Sequence, residues 1–152
     1  MSANLFGTAE SDKRILVVDF GAQYAQLIAR RVRESNVYSE IVSHELDAEN
    51  FAELKPSGII FSGGPTSVNV KGAPKIDPAI YALGVPILGI CYGAQLIAQQ
   101  NGGSVEGNEK GEYGRTVVNV NETGILLSGI ETSTQQVWMS HFDSITSPPE
   151  GA

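Results

Sequence analysis

Cys91 is the only cysteine of the chain, and its neighbours give it the setting of a nucleophile. It follows an apolar run and lies in Gly89-Ile90-Cys91-Tyr92-Gly93, which is the Gly-x-Ser-x-Gly pattern of a nucleophile elbow with cysteine in place of serine. A sharp strand-to-helix turn needs small residues on either side, and Gly89 and Gly93 meet that demand. A thiol at a helix N-terminus also faces the positive end of the helix dipole, which favours the thiolate. A buried, inert cysteine is the alternative, but the spacing of the glycines favours a nucleophile.

Acyl chemistry at Cys91 would need N–H donors aimed at a developing oxyanion. In elbow enzymes these are the N–H after the nucleophile and one from a loop on a neighbouring strand. The sequence predicts them at Tyr92 and in the turn Ser62-Gly63-Gly64-Pro65, at Gly64 or Gly63. An ordinary tight turn is the alternative reading of the two glycines.

A cysteine nucleophile also needs a base, and the chain offers two histidines for that role. His44 stands in no constellation and is predicted to be a surface residue. His141, within Trp138-Met139-Ser140-His141-Phe142-Asp143, is either a base or a histidine that shapes a pocket without moving protons. Asp19 is predicted to be a structural acid. Neither a phosphate-binding loop nor a metal site is predicted, since the Gly-x-x-x-x-Gly-Lys motif and a second cysteine are absent from the sequence.

The elements that must position these residues alternate between strand and helix. Four strands are predicted, of which the first, third and fourth are apolar runs typical of buried strands. Helical spacing or N-caps predict helices between and after them, with a polar loop at 66–76. The predicted strands are 15–20, 37–43, 58–61 and 85–90, and the predicted helices are 23–34, 47–54, 77–83 and 92–101. In the first helix, Tyr24, Leu27, Ile28 and Val32 are expected to face the core. This order indicates an α/β fold, a mostly parallel open sheet with helices on both faces, whose ligand crevice lies at the carboxyl ends of the strands.

Both ends of the chain depart from that alternation. Residues 1–13 are predicted to be a flexible leader, and 14–152 the domain proper. From residue 104 onward, β-like segments at 115–121 and 135–140 predict antiparallel strands appended toward the C-terminus.

The composition narrows the class of protein. The chain has 152 residues, 10 of them basic and 17 acidic, and its net charge of −7 argues against a nucleic-acid or membrane partner. A single cysteine excludes an internal disulfide framework and indicates a reducing, cytoplasmic location.

The segment Gly89-Ile90-Cys91-Tyr92-Gly93-Ala94-Gln95 resembles the nucleophile motif of class I glutamine amidotransferases. Four features are similar to the amidotransferase domains of the GMP synthase family in particular. They are the tyrosine after the cysteine, the run 19–34, Ser62-Gly63-Gly64-Pro65 and Val137-Trp138-Met139-Ser140-His141.

The resemblance implies a flavodoxin-like fold and hydrolysis of glutamine to glutamate and ammonia. Cys91 would form a γ-glutamyl thioester, Gly64 and Tyr92 would hold the oxyanion, and Gly63, Gln95, Ser140 and His141 would help to hold glutamine. The ammonia would pass to an ATP-pyrophosphatase (synthetase) domain, which uses ATP and Mg²⁺ to aminate XMP to GMP for purine biosynthesis, in an enzyme expected to be a homodimer. Neither cofactor is expected in the present chain.

Two departures from the family pattern bear on activity. No His-x-Glu motif follows Trp138-Met139-Ser140-His141, and Phe142 stands where the family has glycine, at a turn that would prefer positive φ. The 152 residues are therefore expected to be a partial domain with little glutaminase activity of their own. Three alternatives stay open: a non-catalytic glutamine-binding or regulatory module, an amidotransferase subunit of another synthase, and another cysteine hydrolase that uses His141.

Overall fold

The computed structural model describes residues 13–152, so most of the predicted leader lies outside the described residues. The described residues divide into two compact units, one of 13–105 with 145–152 and one of 106–144. The domain boundary predicted at residue 14 stays a prediction.

The first unit is built on a parallel sheet of four strands in the order β2-β1-β3-β4. Its elements follow each other along the chain as β1 (Arg14–Asp19), α1 (Tyr24–Glu34), β2 (Tyr38–Ser43), α2 (Ala48–Glu53), β3 (Gly58–Phe61), a 3₁₀ helix (Pro78–Leu83), β4 (Ile87–Gly89) and α3 (Tyr92–Gln100). β1 pairs with β2 from Arg14↔Tyr38 to Asp19↔Ser43. The predicted α/β fold is confirmed.

Helices cover both faces of this sheet, because successive side chains of each strand point to opposite sides. On one side, Leu16 and Val18 of β1 belong to a core that includes Phe51, Ile80 and Leu96 from the helices after β2, β3 and β4. On the other side, Val17 packs with Ala25 and Ala29 of α1. Sequential apolar residues within one strand therefore serve two separate cores.

The buried face of α1 differs from the predicted one. Tyr24 is 65% exposed and Leu27 is 50% exposed, although both were expected to face the core. Ala25 and Ala29 are buried instead, with Ile28 partly buried beside them. Small residues allow the helix to lie close to the sheet. The apolar spacing therefore predicted the helix correctly, but its prediction of which side of the helix is buried was wrong.

Three further elements differ in detail from the sequence prediction. Residues 78–83 form a 3₁₀ helix, with Pro78 at its start and the side chain of Asp77 capping it. β4 is half-buried rather than buried, since it is a terminal strand in the sheet order. The predicted polar loop 66–76 contributes Val68 and Ile76 to the main core.

Residues after α3 form a sheet of two long strands, β5 (Ser104–Asn119) and β6 (Thr134–Ser147), most of which belong to the second unit. The predicted antiparallel pair toward the C-terminus is thus confirmed, but its strands extend well beyond the predicted segments. Among the described residues, no helix is long and apolar enough to cross a membrane.

Candidate active site

Cys91 lies at the turn between β4, which ends at Gly89, and α3, which begins at Tyr92. Its φ is +55° and its ψ is −115°, and its side chain is exposed. A positive φ is unusual for a residue with a Cβ and costs on the order of 1–3 kcal/mol, so such residues concentrate at functional sites. The backbone therefore presents this thiol at the start of α3, as an elbow would.

The two elbow glycines are required by close backbone approach. A Cβ at Gly89 would lie 2.5 Å from the backbone N of Ala94, and one at Gly93 would collide with the carbonyl oxygen of Phe61. Neither neighbour is the end of a flexible side chain, so neither can move aside cheaply. The sharp turn at Cys91 exists because α3 folds back onto the end of β3.

Backbone hydrogen bonds join the elbow to the end of β3. Ile90 N donates to Phe61 O at 3.0 Å, and Gly93 N donates to Ser62 O at 3.1 Å. These bonds bring the Ser62-Gly63-Gly64 turn beside the cysteine, because β3 and β4 are neighbours in the sheet. A Cβ at Gly63 would lie 3.9 Å from the Cβ of Cys91, so Gly63 borders the nucleophile directly.

Tyr92 connects this turn to the rest of the first unit. Its ring is 2% exposed and lies over Gly64, where a Cβ would be 2.5 Å from the ring's Cγ atom. The phenol donates to the carbonyl oxygen of Pro74, and the ring is tilted against Phe20 at 5.4 Å between centroids. Burial raises the pKa of the Tyr92 phenol, which keeps it a neutral donor.

Gln95 lies on the first turn of α3, where its backbone N donates to Cys91 O at 3.1 Å. It is 8% exposed, one of few polar residues in the buried part of the unit. Cys91, Gly63, Gly64, Tyr92 and Gln95 thus occupy one region at the carboxyl ends of β3 and β4.

Ser140 and His141 belong to β6 in the second unit. The His141 Nε2 lies 2.9 Å from Glu112 Oε2, and its Nδ1 lies 2.8 Å from the carbonyl oxygen of Asp143. Both ring nitrogens therefore face oxygen acceptors. This arrangement disfavours His141 as a general base, because a base needs a nitrogen that is open to the substrate proton.

The other polar residues singled out in the sequence have structural partners. His44 Nδ1 lies 3.1 Å from Lys75 O, and its ring stacks on Phe20. Asp19 accepts from Gly21 N at 2.8 Å, in agreement with its predicted structural role.

Phe142 continues β6 with its side chain 53% exposed, and it has no positive φ, so the expected conflict with a turn does not arise. The described residues contain no group of three potential metal ligands.

Comparison with known proteins identifies the family. The profile of the class I glutamine amidotransferases matches residues 16–152. The chain belongs to the class I glutamine amidotransferase family.

Its relatives are similar in sequence and in structure. The chain is 54% identical over 143 residues to a glutamine-hydrolyzing GMP synthase of Nocardia farcinica, covering 94% of this chain and 27% of that protein. It is 52% identical over 143 residues to the one from Lactobacillus acidophilus, covering 93% of this chain and 28% of that protein. A crystal structure described as that of a GMP synthase subunit from Thermoplasma acidophilum superposes with a TM-score of 0.78 at 31% identity, over 91% of this chain and 69% of that one. This amidotransferase chain therefore spans about a quarter of the length of the full GMP synthases.

Some contacts of the candidate residues were not predicted from the sequence. These contacts join residues from different elements. His141 pairs with Glu112, and Tyr92 contacts Pro74 and Phe20. No local spacing marks such pairs. The one available signal is Tyr92 itself, since a buried tyrosine needs a hydrogen-bond partner somewhere.

Proposed function

We propose that this amidotransferase domain is the glutaminase part of a GMP synthase, in which glutamine is hydrolysed and the ammonia is used to make GMP. The observation that carries the proposal is the positive φ of Cys91 at the start of α3, beside the Gly63-Gly64 turn. The similarity to glutamine-hydrolyzing GMP synthases supports glutamine as the substrate and GMP synthesis as the destination.

The reaction uses the thiolate of Cys91 as its nucleophile. The sulfur attacks the side-chain amide carbon of glutamine, and the C=O electrons move onto oxygen, where the N–H groups of Tyr92 and Gly64 stabilise the charge. Collapse of this intermediate breaks the C–N bond, and the nitrogen leaves as ammonia after it takes up a proton. Water then cleaves the γ-glutamyl thioester, which releases glutamate and regenerates the thiolate.

Substrate selection falls to the residues around the nucleophile. Gly63 borders the Cβ of Cys91 and carries no side chain of its own, and Gln95, a buried residue, lies one helical turn beyond the nucleophile. On this proposal, Gly63 and Gln95 help to hold the glutamine. Amination of XMP requires ATP and Mg²⁺, which on this proposal bind in the synthetase portion of the parent enzyme. That enzyme is expected to be a homodimer. Hydrolysis of glutamine uses neither ATP nor Mg²⁺.

A second candidate function is a glutamine-binding module without turnover. The two candidates differ in whether a base is present for the proton transfers that hydrolysis needs. His44 and His141 are the only histidines, and both have the partners described above. We therefore expect the 152-residue chain to form a covalent adduct through Cys91 while turning over little glutamine.

The test is reaction with the chloroketone analogue of glutamine, in which the thiolate displaces chloride beside a carbonyl that replaces the amide. Intact-mass measurement should show one adduct on the chain, at Cys91 by peptide mapping, and free glutamine should slow its formation. The Cys91→Ala variant should give no adduct. Absence of any adduct, with glutamine binding still detected by calorimetric titration, favours the binding module, and labelling that glutamine does not slow contradicts a glutamine site.

A further inference from the structure

The side chain of Tyr92 joins three segments around the proposed oxyanion hole. Its ring lies over Gly64, its hydroxyl donates to Pro74 O, and its own backbone follows Cys91. The oxyanion role involves only the N–H of Tyr92, so it leaves this buried side chain unexplained.

The ring fills the space beside Gly64. A Cβ at Gly64 would meet the Cγ, Cδ2 and Cδ1 atoms of Tyr92 at 2.5, 2.8 and 2.9 Å. The backbone at residue 64 therefore rests against the base of a buried aromatic side chain that starts α3. The N–H groups of Ile90 and Gly93 are hydrogen-bonded to the carbonyl oxygens of Phe61 and Ser62. The ring of Tyr92 adds a packing contact with Gly64, two residues further along the same turn.

The far end of the side chain is held by a segment that is itself fastened to α3. Gln100 Nε2 donates to Ile76 O at 2.9 Å, and Gln99 Nε2 donates to Asn69 Oδ1 at 3.0 Å. Between these contacts, Pro74 accepts the phenol of Tyr92. The segment 69–76 thus gives the hydroxyl a fixed acceptor.

We propose that the Tyr92 side chain is a positioning residue, which sets the location of the Gly64 N–H relative to the Cys91 sulfur. One residue then supplies an oxyanion donor from its backbone and, through its ring and hydroxyl, aligns the second donor on the neighbouring strand. This inference rests on the proposed glutamine chemistry, because a misplaced Gly64 N–H matters only when charge develops on the substrate oxygen.

The experiment compares two labelling rates at Cys91 in the 152-residue chain. The glutamine chloroketone depends on the oxyanion donors through its carbonyl, whereas iodoacetamide reports only how exposed and reactive the thiol is. Tyr92→Phe keeps the ring and removes the bond to Pro74. We expect the ratio of chloroketone rate to iodoacetamide rate to fall about fivefold, the equivalent of one net hydrogen bond of about 1 kcal/mol.

Tyr81→Phe is the matched control. Tyr81 is a half-buried tyrosine of the first unit, and its hydroxyl donates to Gln100 Oε1 at 2.8 Å. Loss of that bond leaves the donation from Gln100 Nε2 to Ile76 O in place, so the rate ratio should stay within about twofold of that of the original chain.

A double-mutant cycle tests the ring separately. Gly64→Ala should lower the rate ratio because its Cβ collides with Tyr92, and adding Tyr92→Ala, which removes the colliding atoms, should restore part of the loss. Equal ratios for Tyr92→Phe and Tyr81→Phe, or strictly additive effects in the cycle, would overturn the inference. If the original chain reacts no faster with the glutamine chloroketone than with a chloroketone that lacks the amino-acid group, the proposed function itself is contradicted, and the inference with it.

Discussion

At the scale of single residues, the site depends on how closely two backbones approach. Gly89 and Gly93 lie against backbone atoms, Gly64 lies against an aromatic ring, and a Cβ at Gly63 would make only an ordinary contact with the Cβ of Cys91. Four glycines that look alike in the sequence therefore have different tolerances. Close packing requires glycine at three of these positions, whereas a Cβ would be tolerated at the fourth, Gly63.

Substitution by alanine should separate these roles. We expect Gly93→Ala to lower the free energy of unfolding by about 3 kcal/mol, because its Cβ meets the backbone of Phe61 and α3 must shift. Gly63→Ala is the matched variant, whose Cβ would make only an ordinary contact with Cys91. It should keep the stability and slow labelling by the glutamine chloroketone. Urea denaturation of both variants measures the first effect, and equal destabilisation would contradict the assignment.

At the scale of elements, Asp77 ties two short helices together. One carboxylate oxygen accepts from Ala79 N at 3.0 Å, at the start of the 3₁₀ helix, and the other accepts from Ala48 N at 2.9 Å, at the start of α2. Asp47 caps α2 by accepting from Asn50 N at 2.9 Å. These bonds satisfy N–H groups that would otherwise lack partners at the helix ends.

The bonds to Ala48 and Ala79 hold the pKa of Asp77 below its ordinary value. A carboxyl whose pKa falls on folding stabilises the folded state above its unfolded pKa of about 3.9, and the contribution is lost as the pH falls through the lower, folded value. We expect Asp77→Asn to lower the melting temperature at pH 7 and to differ less from the original chain near pH 3. Thermal unfolding followed by circular dichroism across this range is the measurement. A difference between the two chains that is independent of pH would contradict the role of the charge.

At the scale of the whole molecule, the second unit carries apolar side chains that face solvent. Trp138 is 73% exposed and Phe142 is 53% exposed, four residues apart on the same face of β6, and Tyr113 and Val117 of β5 are exposed as well. An isolated two-stranded sheet is marginally stable in water. Exposed apolar side chains grouped on such a sheet favour association.

We expect the 152-residue chain to self-associate as its concentration rises, and Trp138→Ser with Phe142→Ser to weaken that association. Val70→Ser is the control, since Val70 is also 53% exposed but lies in a loop of the first unit. Sedimentation velocity over a range of concentrations measures the effect. A chain that stays monomeric throughout, or association equally weakened by Val70→Ser, would contradict the prediction.

The sequence by itself determined the order of the strands and helices in the first unit, the antiparallel pair after it, and the elbow at Cys91. These features depend on neighbouring residues: apolar runs, glycines at fixed spacing, and caps such as Asp47 and Asp77. The presence of Cys91 between Gly89 and Gly93 was enough to predict the turn, since few residues fit there. Such information is local, so it does not depend on which residues distant along the chain come into contact.

The tertiary structure decided which surfaces meet. It buried Ala25 and Ala29 rather than Tyr24 and Leu27, because close packing of a helix on a sheet favours the side with small residues. It also placed Tyr92 between Gly64 and Pro74, and paired His141 with Glu112. Contacts of this kind join residues that are distant along the chain, and hydrophobicity alone does not specify them, because many pairings would bury similar areas.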